Sequence, residues 1–89
     1  MLRQTVSICN KLGLHARAAA KLVTTAGGYE STISLIKDEQ SVDAKSIMAI
    51  MMLAAPNGTN IDVMAEGTDE ETAIQAVIGL INQRFGEDE

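Results

Sequence analysis

The chain has little of what most catalytic and cofactor sites are built from. Its 89 residues include one cysteine, one histidine, one proline and no tryptophan, and its only aromatic side chains are Tyr29 and Phe85. Cys9 alone closes no internal disulfide. Together with His15 it offers too few soft ligands for a zinc or iron–sulfur site, so no metal or cofactor is expected. Cys9 reads as a small strand residue rather than as a redox thiol beside the histidine. No paired carboxylates lie near the histidine in sequence, which argues against an independent enzyme. A small-molecule sensor would want a glycine-rich phosphate loop or pocket-lining aromatics, and neither is present. Net charge −5 with two aromatic residues also disfavours nucleic acid, which calls for a basic surface and stacking rings.

No apolar run approaches the ~18 residues of a membrane span, and no charged-then-apolar pattern opens the chain. A cytoplasmic protein without membrane insertion is the expectation. The 46% apolar content and the scarcity of proline suit a folded chain. The length suits one domain over residues 1–89, able to bury roughly 60–65% of its unfolded surface.

One further absence is informative. Residues 1–29 contain no acid, and Arg3, Lys11, Arg17 and Lys21 give that segment a charge of +4. Residues 30–89 carry all twelve acids against three bases, a charge of −9. The single histidine therefore lies in the one basic part of an acidic chain, where an anionic substrate or an acidic partner surface would be drawn.

Periodicity supplies the architecture. Thr5 to Ile8 alternates as a half-buried strand, with Leu2 in phase. Ala16 to Ala26 reads as a helix whose buried stripe is Ala16, Ala19, Ala20, Val23 and Ala26 with Leu22 alongside, stopped by Gly27-Gly28. Thr32 to Leu35 and a short strand at Ser41 to Asp43 form a hairpin across Lys37-Asp38-Glu39. Ser46 opens a short helix that ends before Pro56, because proline bars its predecessor from helical geometry. Asn60 to Glu66 alternates again. Thr68 to Glu71 matches a capping box, opening a helix whose apolar face runs through Ile74, Val77, Ile81 and Phe85. Gly86 would stop it, and Glu87 to Glu89 would fray. The order βαββαβα, with one apolar face per strand, predicts an α+β fold. Its four-stranded, mainly antiparallel sheet carries three helices on one face.

The histidine lies at the first strand-to-helix junction. If the helix starts at Ala16, His15 is its N-cap, and the amide of Ala16 joins the other unpaired N–H groups and the positive end of the dipole beside the imidazole. Such a place stabilises a phosphoryl dianion, disfavours imidazolium and keeps a ring lone pair available as nucleophile. Arg17 presents a planar fork of donors to phosphoryl oxygens. A basic residue at a helix start is poor placement for stability, and a broken local rule points to function. On spacing alone, a capping histidine without chemistry and a solvated arginine stand ahead of this reading.

The run Asn10 to Arg17, followed by Ala18-Ala19, closely resembles the active-site signature of the HPr (and NPr) family, histidine-containing phosphocarriers of the phosphoenolpyruvate-dependent phosphotransferase system. The resemblance covers essentially the whole chain and includes Lys45-Ser46-Ile47-Met48. It implies an open-faced β-sandwich and no enzyme in the strict sense. His15 would take a phosphoryl group on Nδ1 from phospho-enzyme I and pass it to a IIA-type acceptor, with Arg17 neutralising the charge. Two positions depart from the family pattern: Ala18 stands where proline is usual, and Leu12 where a polar residue is common. Alanine is a good helix former, so the first helix should survive the exchange.

Ser46 reads as an N-cap. By resemblance to kinase-regulated HPr proteins it is also a candidate regulatory phosphorylation site, with HPr kinase/phosphorylase as partner. The short helix it opens has almost no polar face, so some of Ile47, Met48 and Met51 should be exposed as an adaptable apolar docking patch. The Asn10–Arg17 run looks like the nitrogen-related carriers and the Lys45–Met48 run like the sugar-related ones. A rival from another class stays open: a non-catalytic regulatory or adaptor domain on the same fold, with His15 as a mere cap.

Overall fold

The alternating segments pair into one sheet in the computed structural model, which describes residues 1–88. The elements are β1 (Leu2–Ser7), α1 (Ala16–Gly27), β2 (Thr32–Lys37), β3 (Gln40–Asp43), α2 (Ile47–Leu53), β4 (Asn60–Glu66) and α3 (Glu70–Asn82), followed by a 3₁₀ turn at Arg84–Gly86. The spatial order is β1-β4-β2-β3, and every pairing is antiparallel. Val6, Ile33, Leu35, Ile61, Val63 and Ala65 turn one face of the sheet towards the helices, and all six are buried. The other face is polar, with Thr5 Oγ1 and Arg3 Nε both donating to the Asp62 carboxylate at 2.7 Å. α3 lies against β1 and β4, α2 against β3, and α1 against both of those helices.

Two partly exposed lysines fasten this frame. Lys37 donates to the carbonyls of Leu53 and Ala54 at 3.3 Å, a cation at the negative end of α2. Lys45 donates to the Tyr29 carbonyl at 2.8 Å.

The structure corrects three expectations. The buried face of α1 is Ala18, Ala19, Leu22 and Ala26, whereas Ala16 and Ala20 are exposed. With alanine at five of the first eleven positions, small residues did not reveal the phase of the helix, and Leu22 sets it. Secondly, α3 stops at Asn82 and does not run through Phe85. Arg84, Phe85 and Gly86 all have positive φ (57°, 57° and 77°), so the chain doubles back and inserts the Phe85 ring, fully buried, against α1 and α3. Burying an aromatic side chain of this size, worth about 1.5–3 kcal/mol, offsets the left-handed backbone.

Thirdly, Thr68 caps nothing. Asp69 is the N-cap residue of α3 and makes no side-chain cap bond. Its carboxylate accepts instead from the amides of Glu30 and Ser31 (2.9 and 3.0 Å) and from the Ser31 hydroxyl, tying the start of β2 to the start of α3. The carboxylate that reaches back is Glu70, which accepts from the Gly67 amide at 3.3 Å. The Ser31 hydroxyl, followed by the Glu30 amide, holds the Asp69 carboxyl below the usual range. A depressed carboxyl stabilises the fold above its unfolded pKa and loses that contribution as pH falls through the folded value. Asp69→Asn should therefore lower Tm at pH 7, and the gap from wild type should close in acid. A gap that stays constant down to pH 2 would show that the charge is irrelevant.

Candidate functional site

The loop between β1 and α1 is built around a buried polar residue. Asn10 is fully buried; its Nδ2 donates to the Gly13 carbonyl at 2.8 Å, and its own carbonyl accepts from Asn57 Nδ2 at 3.0 Å. Gly13 has φ +66°, and a Cβ there would sit 2.6 Å from the Ala55 carbonyl oxygen. Leu14 N donates to that same oxygen at 3.0 Å. The segment that ends α2 thus supports the loop that carries the histidine. Beside the loop, Cys9 lies just past β1, and its thiol donates to the Ile81 carbonyl at 3.3 Å.

His15 is the N-cap of α1, with extended backbone angles. Its Nδ1 accepts from the Arg17 amide at 3.2 Å, while the Ala19 amide opens the helical ladder onto the His15 carbonyl at 2.9 Å. The amides of Ala16 and Ala18, like that of Arg17, lie ahead of the first ladder bond and have no intrahelical acceptor; the His15 ring takes the Arg17 amide, and the helix dipole converges here. The ring is about three-quarters covered, at 25% side-chain exposure. Arg17 is exposed, and its guanidinium forms no ion pair among the described residues. Lys11, Leu12, Arg17 and Glu87 line a shallow depression of about 330 Å³ here, large enough for a phosphoryl group.

Glu87 is the residue that the sequence did not disclose. It was expected in a frayed acidic end, yet Glu87 is half-buried and bridges two residues of the loop; Glu89 lies outside the described residues. Its Oε2 lies 2.6 Å from His15 Nε2, and its Oε1 accepts from Asn10 Nδ2 at 3.0 Å. The Asn10 amide first, and then the His15 ring, hold the Glu87 carboxyl below the usual carboxylate range. Lys21 Nζ donates to the Phe85 carbonyl at 2.6 Å, so the segment that delivers Glu87 is pinned to α1. The available signal was Phe85 itself, since a lone phenylalanine so close to the acidic end needs a core to enter.

The orientation of the Asn10 amide follows from its partners. Both neighbours of Nδ2 are acceptors, so flipping the amide would set oxygen against oxygen. The chosen orientation leaves Oδ1 buried without a partner among the described residues. Such an atom costs about 1–3 kcal/mol. Stability alone does not account for this asparagine.

The structure brings His15, Ala16 and Arg17 together and sets Ser46 apart, at the start of α2. There its Oγ accepts from the Ala49 amide at 3.2 Å, a helix cap. On α2, Ile50 and Leu53 are buried while Ile47, Met48, Met51 and Met52 are exposed, Met48 by 75%. Met52 belongs to this patch as well, beyond the three residues expected there. Leu12, also exposed, adds an apolar side chain on the loop beside His15.

A family model described as the PTS HPr component phosphorylation site matches residues 2–83. The chain is 48% identical over 89 residues to the phosphocarrier protein HPr of Cupriavidus necator, covering all of both chains. It is 53% identical over 85 residues to the HPr of Pseudomonas aeruginosa, covering 94% of each. The crystal structure of HPr-C-His from Thermoanaerobacter tengcongensis superposes with a TM-score of 0.96, at 48% identity and full coverage of both chains. The expected open-faced sandwich is the architecture shared with that structure. With a match of this extent and a fold this close, the chain belongs to the HPr family of phosphotransferase-system phosphocarriers.

Proposed function

We propose that this chain is a cytoplasmic carrier domain in which His15 Nδ1 takes the phosphoryl group from phospho-enzyme I and yields it to a IIA-type acceptor. The observation that carries this reading is the direction of Nδ1, which faces the amides that open α1. A phosphoryl group bonded there would meet those N–H groups, the helix dipole and the Arg17 fork, each suited to a dianion. The exposed Ile47, Met48, Met51 and Met52 on the neighbouring helix supply an apolar docking surface, and the basic first segment would steer it to an acidic partner. An adaptor that works by docking alone would use the same patch and leave His15 as a cap, so uptake of phosphate separates the two readings. Incubation of the protein with phosphoenolpyruvate and enzyme I should add one acid-labile, alkali-stable phosphate per chain. No uptake under conditions that load a known HPr would sink the proposal.

Two finer points belong to the same reading. Ser46 caps α2, and its phosphorylation would set about two negative charges beside the docking patch. An acidic enzyme I surface would then bind less well. Ser46→Asp, which keeps a capping oxygen, should raise the KM for enzyme I several-fold while leaving the fold unchanged; an unaltered KM would count against regulation at this position. Parallel transfer to a sugar-type and a nitrogen-type IIA protein identifies the branch, because the faster acceptor marks the physiological one.

A further inference from the structure

We propose that Glu87 is a positioning residue that fixes the His15 ring in the Nε2–H tautomer and thereby makes Nδ1 the nucleophile. The inference rests on the carrier reading and adds to it a residue from the far end of the chain. Three contacts lead to it. Nδ1 accepts the Arg17 amide, so it carries a lone pair and no proton. An ionised carboxylate accepts and never donates, so the 2.6 Å contact between Glu87 Oε2 and Nε2 requires the ring proton to sit on Nε2. The second carboxylate oxygen is held by the buried Asn10 amide, whose orientation is bound by its two acceptors. Asn10, Glu87 and His15 thus form a chain in which each member aims the next. Carboxylates that orient a working imidazole act in the same way in hydrolytic triads and behind metal-bound histidines.

The arrangement spares the transfer a proton movement. The Nδ1 lone pair forms the new bond to phosphorus as the donor's bond to phosphorus breaks, and the donor keeps that electron pair. Nε2 retains its proton throughout. The ring becomes a phosphoimidazolium whose positive charge lies against the Glu87 carboxylate. When an acceptor nucleophile attacks, the electrons of the Nδ1–P bond return to Nδ1, and the neutral ring is restored with its proton still on Nε2. Without the carboxylate only the longer 3.2 Å bond from the Arg17 amide would favour this tautomer, and the larger fraction then protonated at Nδ1 has no lone pair to offer.

The backbone of this segment fits the role. Positive φ at Arg84, Phe85 and Gly86, burial of Phe85 and the Lys21 bond to its carbonyl all hold the turn immediately before Glu87.

The test uses the full chain, ¹⁵N-labelled at histidine, at a pH where the ring is neutral. Wild type should show one protonated-type and one unprotonated-type nitrogen, the latter assigned to Nδ1. In Glu87→Ala both resonances should move towards the averaged values of a free imidazole. Its rate of phosphorylation by enzyme I should fall about 10–100-fold, the scale of loss when the partner of a metal-bound histidine is removed, with KM for enzyme I nearly unchanged. Glu87→Gln, isosteric and uncharged, serves if the alanine variant does not fold, and should show the same loss of tautomer preference in smaller measure. Wild-type nitrogen shifts in folded variants, or wild-type rates, would overturn the proposal. A wild type that takes no phosphate but whose nitrogen shifts respond to Glu87→Ala would overturn the carrier reading while supporting the tautomer assignment.

Discussion

His15→Asn is expected to fold like wild type and take up no phosphate. Two roles meet in this residue, the observed cap of α1 through the 3.2 Å bond from the Arg17 amide and the proposed nucleophile. Asparagine is among the best N-caps and has no ring nitrogen, so it separates the two. In chemical denaturation the asparagine variant should lie close to wild type. His15→Ala, which loses the cap as well, should be less stable by about 0.5–2 kcal/mol. Both should incorporate no acid-labile phosphate in the presence of enzyme I and phosphoenolpyruvate. If His15→Asn accepts the group with wild-type stoichiometry, the phosphoryl site lies elsewhere and the carrier assignment of His15 is lost.

Gly13→Ala should be nearly as damaging to transfer, and it should also damage the fold. The residue has φ +66°, a conformation that costs an L-residue about 1–2 kcal/mol. Its new methyl group would lie 2.6 Å from the Ala55 oxygen and 2.8 Å from Pro56 Cα, both backbone atoms that cannot simply rotate away. Relief requires the loop to move off the segment after α2, giving up the Leu14–Ala55 hydrogen bond. Overpacking strain adds about 1–3 kcal/mol, for a total of about 2–5 kcal/mol in urea unfolding. Because His15 hangs from this loop, a displacement near 1 Å should lower the rate of phosphorylation on the order of 10²-fold. Gly58→Ala is the control: φ there is also positive, at +89°, but nothing lies within 4 Å of the added methyl. It should show the backbone term alone and nearly normal transfer. Equal losses from the two variants would mean that the close approach at Gly13 does not matter.

How far the sequence disclosed all this depended on whether the relevant signal was local. Strands announced themselves by alternation, and Ser46 and His15 by their places before apolar helices, because side-chain period and capping are set within a few residues. The α1 phase failed because alanine is compatible with either face. The Thr68 box failed because Asp69 is occupied by Ser31 and Glu30, partners about forty residues away that no window around Thr68 contains. Glu87 was illegible for the same reason. In an acidic tail it looks like its neighbours, and only the turn at Arg84 to Gly86 delivers it to a ring 72 positions earlier. The resemblance carried by Asn10 to Arg17 gave the family, whereas the partner of Nε2 is visible only once the chain is closed on itself.

The place of β1 in the sheet has a kinetic consequence. Among the described residues its only neighbour is β4, with Ser7 opposite Asn60 and Leu2 opposite Ala65. The first strand to be synthesised must therefore wait for the sixth element before a single ladder bond can form, and the loop to be closed holds more than fifty residues. The β2–β3 hairpin, joined by two residues, can close far earlier. Folding should begin at that hairpin and finish with the docking of β1, a non-local step paid for in loop entropy before any contact rewards it. Until that step the histidine loop has no floor, so competence to carry phosphate arrives at the end of folding and cannot be acquired by a half-made chain.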